Sequence, residues 1–395
     1  MHTLRHRLAR WASAAALGAL LLACGGSDGA HIGGDGGTPL APWRWSLPAG
    51  FAPPVVPADN PMNAAKVELG RHLFFDARLS GNGTLSCAGC HMPERAFSES
   101  RALGRGSTGQ HHPRNTPSLI NAAYHAALDW ANPAPRTLEE QMHTPLFGTH
   151  PIEMGVNDDN RATILQRLQA DAHYPARFAE AFSGEAAPID WPKVIKAIAA
   201  FERTLVSADS RHDQAQAGQA TLSAQEARGQ RLFFGPKALC AQCHGGPNLG
   251  GGTFTSSAGS VGAPAFHNIG LFNIGGTGAY PAPNTGLHAS TGRAEDMGKF
   301  RAPSLRNVAL TAPYFHDGSV IALETVLDIH ADGGRLIGPG PYAGDGRANP
   351  FKDPLIDQID IDAQDKTDLI AFLKTLTDPG VAADPRFADP FATSR

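Results

Sequence analysis

The chain has 395 residues, with 33 Lys and Arg against 37 Asp and Glu, a formal charge of −4. That near-neutral balance excludes a surface built for nucleic acid or a polybasic membrane patch, and 44 glycines with 31 prolines exclude a coiled coil or plain helical bundle. Apolar residues make up 42% of the chain but aromatics only 7%, and five cysteines are an odd number that a closed disulfide framework does not explain.

Residues 1–23 read as an export signal: Arg5, Arg7 and Arg10 precede a small, apolar run from Ala12 to Ala23 that is too short to span a bilayer. The run ends Leu21-Leu22-Ala23-Cys24-Gly25, similar to a bacterial lipobox, so Cys24 is expected to be acylated as the mature N-terminus; an ordinary signal with a chance cysteine is the alternative. Residues 24–42 form a Gly-rich tether. A first domain is expected over 43–208 and a second over 209–395. Each contains a similar segment, Lys66-Val-Glu-Leu-Gly-Arg-His-Leu-Phe-Phe75 and Glu226-Ala-Arg-Gly-Gln-Arg-Leu-Phe-Phe234, which suggests duplication; Ser223 and Glu226 form a capping box that starts the second as a helix. Further helices are predicted over Asp190–Ser207, with Val194, Ile195, Ile198, Phe201 and Leu205 on one face, over Val320–Ile329, and over Asp362–Thr377, burying Leu369, Ile370, Leu373 and Leu376. Gly245–Gly298 reads as ordered loop, and no convincing strand pattern appears.

With Cys24 set aside, the remaining cysteines fall as Cys87-Ala-Gly-Cys90-His91 and Cys240-Ala-Gln-Cys243-His244. C-x-x-C-H is the attachment signature of c-type haem: two thioethers hold the porphyrin and the adjoining histidine ligates iron. A thioredoxin-like pair needs no such histidine and no second copy, and a shared zinc tetrahedron does not suit the immediate Cys-His pairing. Two covalently bound haems c are therefore expected, in a mostly α protein of two c-type cytochrome domains with long ordered loops. Export fits, because c-type maturation takes place outside the cytoplasm.

From about Pro61 to Asp378 the chain resembles the bacterial di-haem cytochrome c peroxidase/MauG superfamily. The phrases that carry the resemblance are Leu79-Ser-Gly-Asn-Gly-Thr-Leu-Ser-Cys87, Arg114-Asn-Thr-Pro-Ser118, Leu138-Glu-Glu-Gln141, Glu153-Met-Gly155 and Ser304-Leu-Arg-Asn-Val-Ala-Leu-Thr-Ala-Pro-Tyr-Phe-His-Asp-Gly318. Pro57-Ala-Asp-Asn-Pro-Met62, Phe266-His-Asn268, Ala279-Tyr-Pro-Ala-Pro-Asn-Thr-Gly286 and Asp296-Met-Gly298 are most similar to the MbnH branch, found near methanobactin genes.

The resemblance implies haems near the domain interface and hydrogen peroxide as the oxidant, reacting at the haem of Cys87, Cys90 and His91. Gln141, Pro145 and Glu153 carry over as its distal pocket, with Glu153 as acid/base and expected to be a buried carboxylate with a raised pKa. Counting back from Asn115 puts Ser107 where related peroxidases carry a plugging histidine, so the site is expected to be open; His111 or His112 could substitute. The sixth ligand of the second haem is read as His330, fourteen residues after His316, with Met297 as rival; a helix-end histidine without a ligand role is the other reading. Histidine in place of methionine lowers the potential and favours higher oxidation states. Trp130 carries over as the indole between the haems, and Asn115, Thr311 and Pro313 as surroundings of an inter-haem Ca²⁺.

These assignments suggest a peroxide-driven oxidase of a partner protein whose high-valent haem state is shared via Trp130, and the resemblance to the MbnH branch implies a Trp side chain of a secreted partner as the target. The alternatives are a detoxifying peroxidase fed by a small electron-transfer protein and a non-catalytic electron carrier. Trp191, Trp43 and Trp45 are candidates by residue type for the surface exit of oxidising equivalents. The expected location is the periplasmic side of the cell envelope, at the outer membrane, with contact to membrane only through the lipid anchor.

Overall fold

The duplicated segments fold as equivalent helices, and the same glycine in each explains how they pack. In the computed structural model, which describes residues 43–47, 51–185, 188–251, 254–262 and 264–392, seven helices have eight or more residues. They are α1 (Ala64–Phe75), α2 (Arg161–Gln169), α3 (Tyr174–Ala181), α4 (Trp191–Glu202), α5 (Ala224–Phe234), α6 (Leu323–Ala331) and α7 (Ala363–Lys374). The expected signal, Cys24 and the tether lie outside the described residues.

Helix α1 crosses α4 where Gly70 meets the Ala197 backbone, and a Cβ on Gly70 would lie 1.9 Å from the Ala197 carbonyl oxygen. Helix α5 crosses α7 at Gly229, where a Cβ would lie 2.0 Å from the Asp368 carbonyl oxygen. A mid-helix glycine ordinarily costs about 1 kcal/mol relative to alanine; here it lets two backbones touch. The close approach buries Phe74 against Phe201 in one half and Phe233 against Phe372 in the other, with ring centroids 5.3 Å apart in both pairs.

Two cores result. The first gathers Leu69, Leu73, Phe74, Phe97, Val194, Ile198 and Phe201, and Val381 and Phe387 return from the end of the chain to join it. The second gathers Phe233, Leu249, Leu323, Leu327, Leu369, Phe372 and Leu376. Residues 40–395 form one compact unit, and the halves meet at Ser207. Asn121 Nδ2 donates to the Ser207 carbonyl at 2.8 Å, Asn307 Nδ2 donates to the Ser207 hydroxyl at 3.0 Å, and that hydroxyl donates to Asp378 at 3.1 Å. Asn121 and Asn307 are another duplicated pair, both left-handed (φ 57° and 61°), a conformation asparagine tolerates better than most residues.

Several boundaries differ from expectation. Helix α4 ends at Glu202 rather than Ser207, leaving Leu205 buried beyond it. Helix α6 begins at Leu323, after an isolated bridge between Tyr314 and Val320. Helix α7 has Asp362 as its N-cap, with a capping box to Asp365, and fully buries Phe372 while Ile370 is only half-buried. Three small antiparallel hairpins that the sequence does not announce interrupt the loops: β1 (Phe254–Ser256) with β2 (Gly259–Val261), β3 (Phe266–His267) with β4 (Phe300–Arg301), and β5 (Leu336–Ile337) with β6 (Gly344–Asp345). At two or three residues each, these strands are too short to show an alternating pattern. Among the described residues, no helix is long and apolar enough to cross a membrane.

Gly229→Ala is expected to destabilise the fold by about 1–3 kcal/mol through overpacking against α7, whereas Gly338→Ala, with open space at its Cβ position, should leave it unchanged. Thermal unfolding of the two variants checks this.

Candidate active site

Each half holds a cavity lined by its C-x-x-C-H segment. His91 donates from Nδ1 to the Phe97 carbonyl at 2.9 Å, and His244 donates from Nδ1 to the Pro303 carbonyl at 3.1 Å. A carbonyl only accepts, so in both rings the proton sits on Nδ1 and the Nε2 lone pair is free. Burial keeps both rings neutral, with His244 lowered to about 4, and a neutral ring is the form that ligates a metal. The four cysteines are unbridged, and burial raises all four thiols, Cys90 and Cys243 to about 11 and Cys240 to about 12. That is opposite to the lowered thiol of a redox Cys-x-x-Cys pair.

In the second cavity His330 joins His244. Its Nδ1 donates to the Val326 carbonyl one turn back in α6, at 2.8 Å, which again leaves Nε2 free. Met297, the rival by sequence, packs instead at the edge of a cluster around Trp130, Leu271 and Phe272, and is not among the lining residues.

The first cavity brings together His91, Gln141, Pro145 and Glu153. Glu153 differs from the buried carboxylate expected: 29% of its side chain is exposed, and His112 Nε2 lies 3.1 Å from its Oε1. The His112 Nδ1 faces both the Arg114 N–H at 3.1 Å and the Arg114 carbonyl at 3.2 Å, while Nε2 faces Glu153. His112 is thus engaged by the carboxylate, while His111 is exposed and outside the cavity. Ser107 also does not line the cavity; its N–H donates to the Glu153 carbonyl at 2.7 Å, which ties this loop to the distal segment. The Gln141 amide reaches Asp129 at 3.4 Å, and burial raises the Asp129 pKa.

Trp130 lies in the wall shared by the two cavities, 9% exposed, with its Nε1 donating to the Asn115 carbonyl at 2.9 Å. Asn115, Thr311 and Pro313 also converge on the second cavity. The Asn115 amide nitrogen donates to the Arg101 and Ala102 carbonyls at 3.3 and 3.1 Å, which fixes which way its side-chain oxygen faces. Trp191 is buried in the first core against Phe147, and Trp43 and Trp45 contact each other edge-on at 5.9 Å.

Two lining residues that the sequence reading missed bear on what the cavities hold. Arg301 is buried in the shared wall with Nη1 unpartnered, and burial lowers its pKa to about 10. His316, 3% exposed, has an unpartnered Nε2 and stacks on Phe300 at 3.7 Å; burial lowers it to about 3. Orphaned buried polar groups are rare. A large apolar group with carboxylate arms fits both the apolar walls and these orphans, as haem does.

A family model for di-haem cytochrome c peroxidase matches residues 64–221. Over 370 residues the chain is 35% identical to the cytochrome-c peroxidase IdrP1 of Denitromonas iodatirespirans, covering 88% of this chain and 92% of that one. The chain belongs to the di-haem cytochrome c peroxidase/MauG family. Within the family it is also 35% identical over 326 residues to the methylamine utilization protein MauG of Methylorubrum extorquens, covering 81% and 80% of the two chains. A solved MauG-like protein associated with microbial copper homeostasis is 55% identical, with a TM-score of 0.86 over 89% of this chain and 100% of that one. Like its family, this protein is a haem oxidoreductase, and membership implies two haems c, which the paired cavities suit.

His330→Ala is expected to convert one low-spin haem signal to high-spin in the EPR spectrum of the oxidised protein. An unchanged low-spin signal would remove the ligand role from His330.

Proposed function

We propose that this protein uses hydrogen peroxide at the first cavity to oxidise a partner protein in the cell envelope, with a Trp side chain as the target. The observation that carries the reading is Trp130: one oxidisable ring walls both cavities, linking the His91 site to the His244–His330 site. The solved relative at 55% identity, MauG-like and associated with copper homeostasis, supports a substrate protein over a detoxifying role and suggests a partner that handles copper. The haems supply the peroxide-reactive iron and the store of oxidising equivalents.

The protein's own groups handle the protons. Heterolysis of peroxide requires a base that takes a proton from the oxygen nearer the iron and returns it to the departing one. Glu153 is placed to do this, with His112 Nε2 3.1 Å from its Oε1 to orient it. Gln141, steadied by Asp129, orients the peroxide but relays no proton. His330 would hold the second haem as an imidazole ligand in place of a thioether, which would lower its potential and favour sharing of oxidising equivalents over donation of stored electrons. Asn115, Thr311 and Pro313 suit a Ca²⁺ held by a side-chain amide, backbone carbonyls and water. We place the protein on the periplasmic side of the envelope, held by a lipid on Cys24.

Glu153→Gln is expected to slow the reaction with peroxide by about 10²–10⁴-fold while a pyridine haemochrome assay still counts two haems. His112→Ala should slow it less. Normal peroxide reactivity in Glu153→Gln would remove the acid/base assignment. Mass spectrometry of a co-purified copper-binding partner after peroxide should show oxidised Trp; fast turnover with reduced cytochrome c and no change in the partner would favour a detoxifying peroxidase. Treatment with EGTA is expected to slow peroxide reactivity and added Ca²⁺ to restore it, as read by stopped-flow absorbance.

A further inference from the structure

We propose that electrons taken from the partner enter through Tyr342 and reach the second cavity by way of Phe272 and Tyr280. The proposal rests on the peroxide-driven reading above and gives it an exit at the surface. The cavity wall is aromatic: Phe300 and His316 stack at 3.7 Å, and the Tyr280 ring lies 6.2 Å from the first and 6.1 Å from the second. Phe272 continues the row 5.3 Å from Tyr280, and Tyr342 ends it 6.1 Å from Phe272. Tyr342 lies in the loop joining β5 and β6 and is 48% exposed. The other four tyrosines are buried or half-buried. The rings therefore run from cavity to solvent with no aliphatic gap.

The chemistry along the row is graded. Tyr280 is buried, its hydroxyl donates to Asn268 Oδ1 at 2.7 Å, and burial pushes its pKa up. An amide oxygen is no base, so Tyr280 cannot shed its proton when it loses an electron, and positive charge does not rest there. Phe272 is harder to oxidise still, and the Arg335 guanidinium 4.6 Å over its ring disfavours any positive charge on it. Tyr342 alone among these rings has water to take its phenolic proton. Leu336 on β5, 63% exposed, is a second exposed apolar side chain of the same hairpin.

Each step balances. Tyr342 passes one electron inward and its phenolic proton to water, leaving a neutral phenoxyl radical. The partner returns one electron and one proton and is itself oxidised by one electron. Two rounds supply the two electrons that, with two protons, reduce one hydrogen peroxide to two waters, and Tyr342 is unchanged.

The test treats the di-haem protein with peroxide and the spin trap 2-methyl-2-nitrosopropane, then maps adducts by peptide mass spectrometry. The wild type should carry the adduct on Tyr342. Tyr342→Phe should lose it by about tenfold or more, and Tyr342→Trp should regain it at the same position. Phe272→Leu, with an unchanged melting temperature, should also lose it. Peroxide consumption by the wild type is followed in parallel. An adduct that maps elsewhere while peroxide is consumed overturns the route and leaves the proposed function standing; absence of peroxide consumption overturns both.

Discussion

The site depends on one repeated hydrogen bond, from a histidine Nδ1 to a backbone carbonyl. It occurs at His91, His244 and His330, with Phe97, Pro303 and Val326 as acceptors. Each bond contributes about 1 kcal/mol of net stability, but its larger effect is to fix the tautomer and aim Nε2 into a cavity. An outer hydrogen bond of this kind orients a metal ligand and raises its basicity. Two of the acceptors sit in loops, so those loops must be ordered. Ser118, donating to the Ala96 carbonyl at 2.5 Å, and Ser304, donating to the Asn248 carbonyl at 2.6 Å, hold them as duplicated counterparts. The heavy use of glycine and proline follows from this demand for shaped loops, not from flexibility.

The cavities communicate because the halves share material. Asn115–Ser118, His125 and Trp130 belong by sequence to the first half but also wall the second cavity, and Arg301 does the reverse. The hydrogen bond from Trp130 to the Asn115 carbonyl and the buried Ser207 junction fix this arrangement in apolar surroundings, where hydrogen bonds are strong and costly to break. Distance between the sites is set by covalent chain and packed side chains, so neither can move without the other.

How much of this was legible in the sequence varied with the kind of constraint. Thioether attachment requires both cysteines and the histidine on one short segment, so Cys87–His91 and Cys240–His244 declare themselves. The capping box at Ser223 is equally local and was readable. Motif order placed Gln141, Pro145 and Glu153, and the structure gathers them. It did not disclose that His112 holds Glu153, because that pairing joins loops forty residues apart. Arg301 was invisible for the same reason, since a single buried arginine carries no local pattern; His316 stood in a quoted motif, but only the fold shows that its free nitrogen is buried at a cavity. The hairpins were missed because two- and three-residue strands lie below the length at which alternation can be seen.

The return of Val381 and Phe387 to the first core bears on how the molecule is assembled. Phe387 lies against Phe97, close to the His91 loop, and against Phe201 of α4. A chain made N-terminus first presents Cys87 and Cys90 long before Phe387 emerges. The first half must therefore wait, one aromatic short, until the tail arrives to close it. The last segment made is thus the one that completes the core against which Cys87 packs.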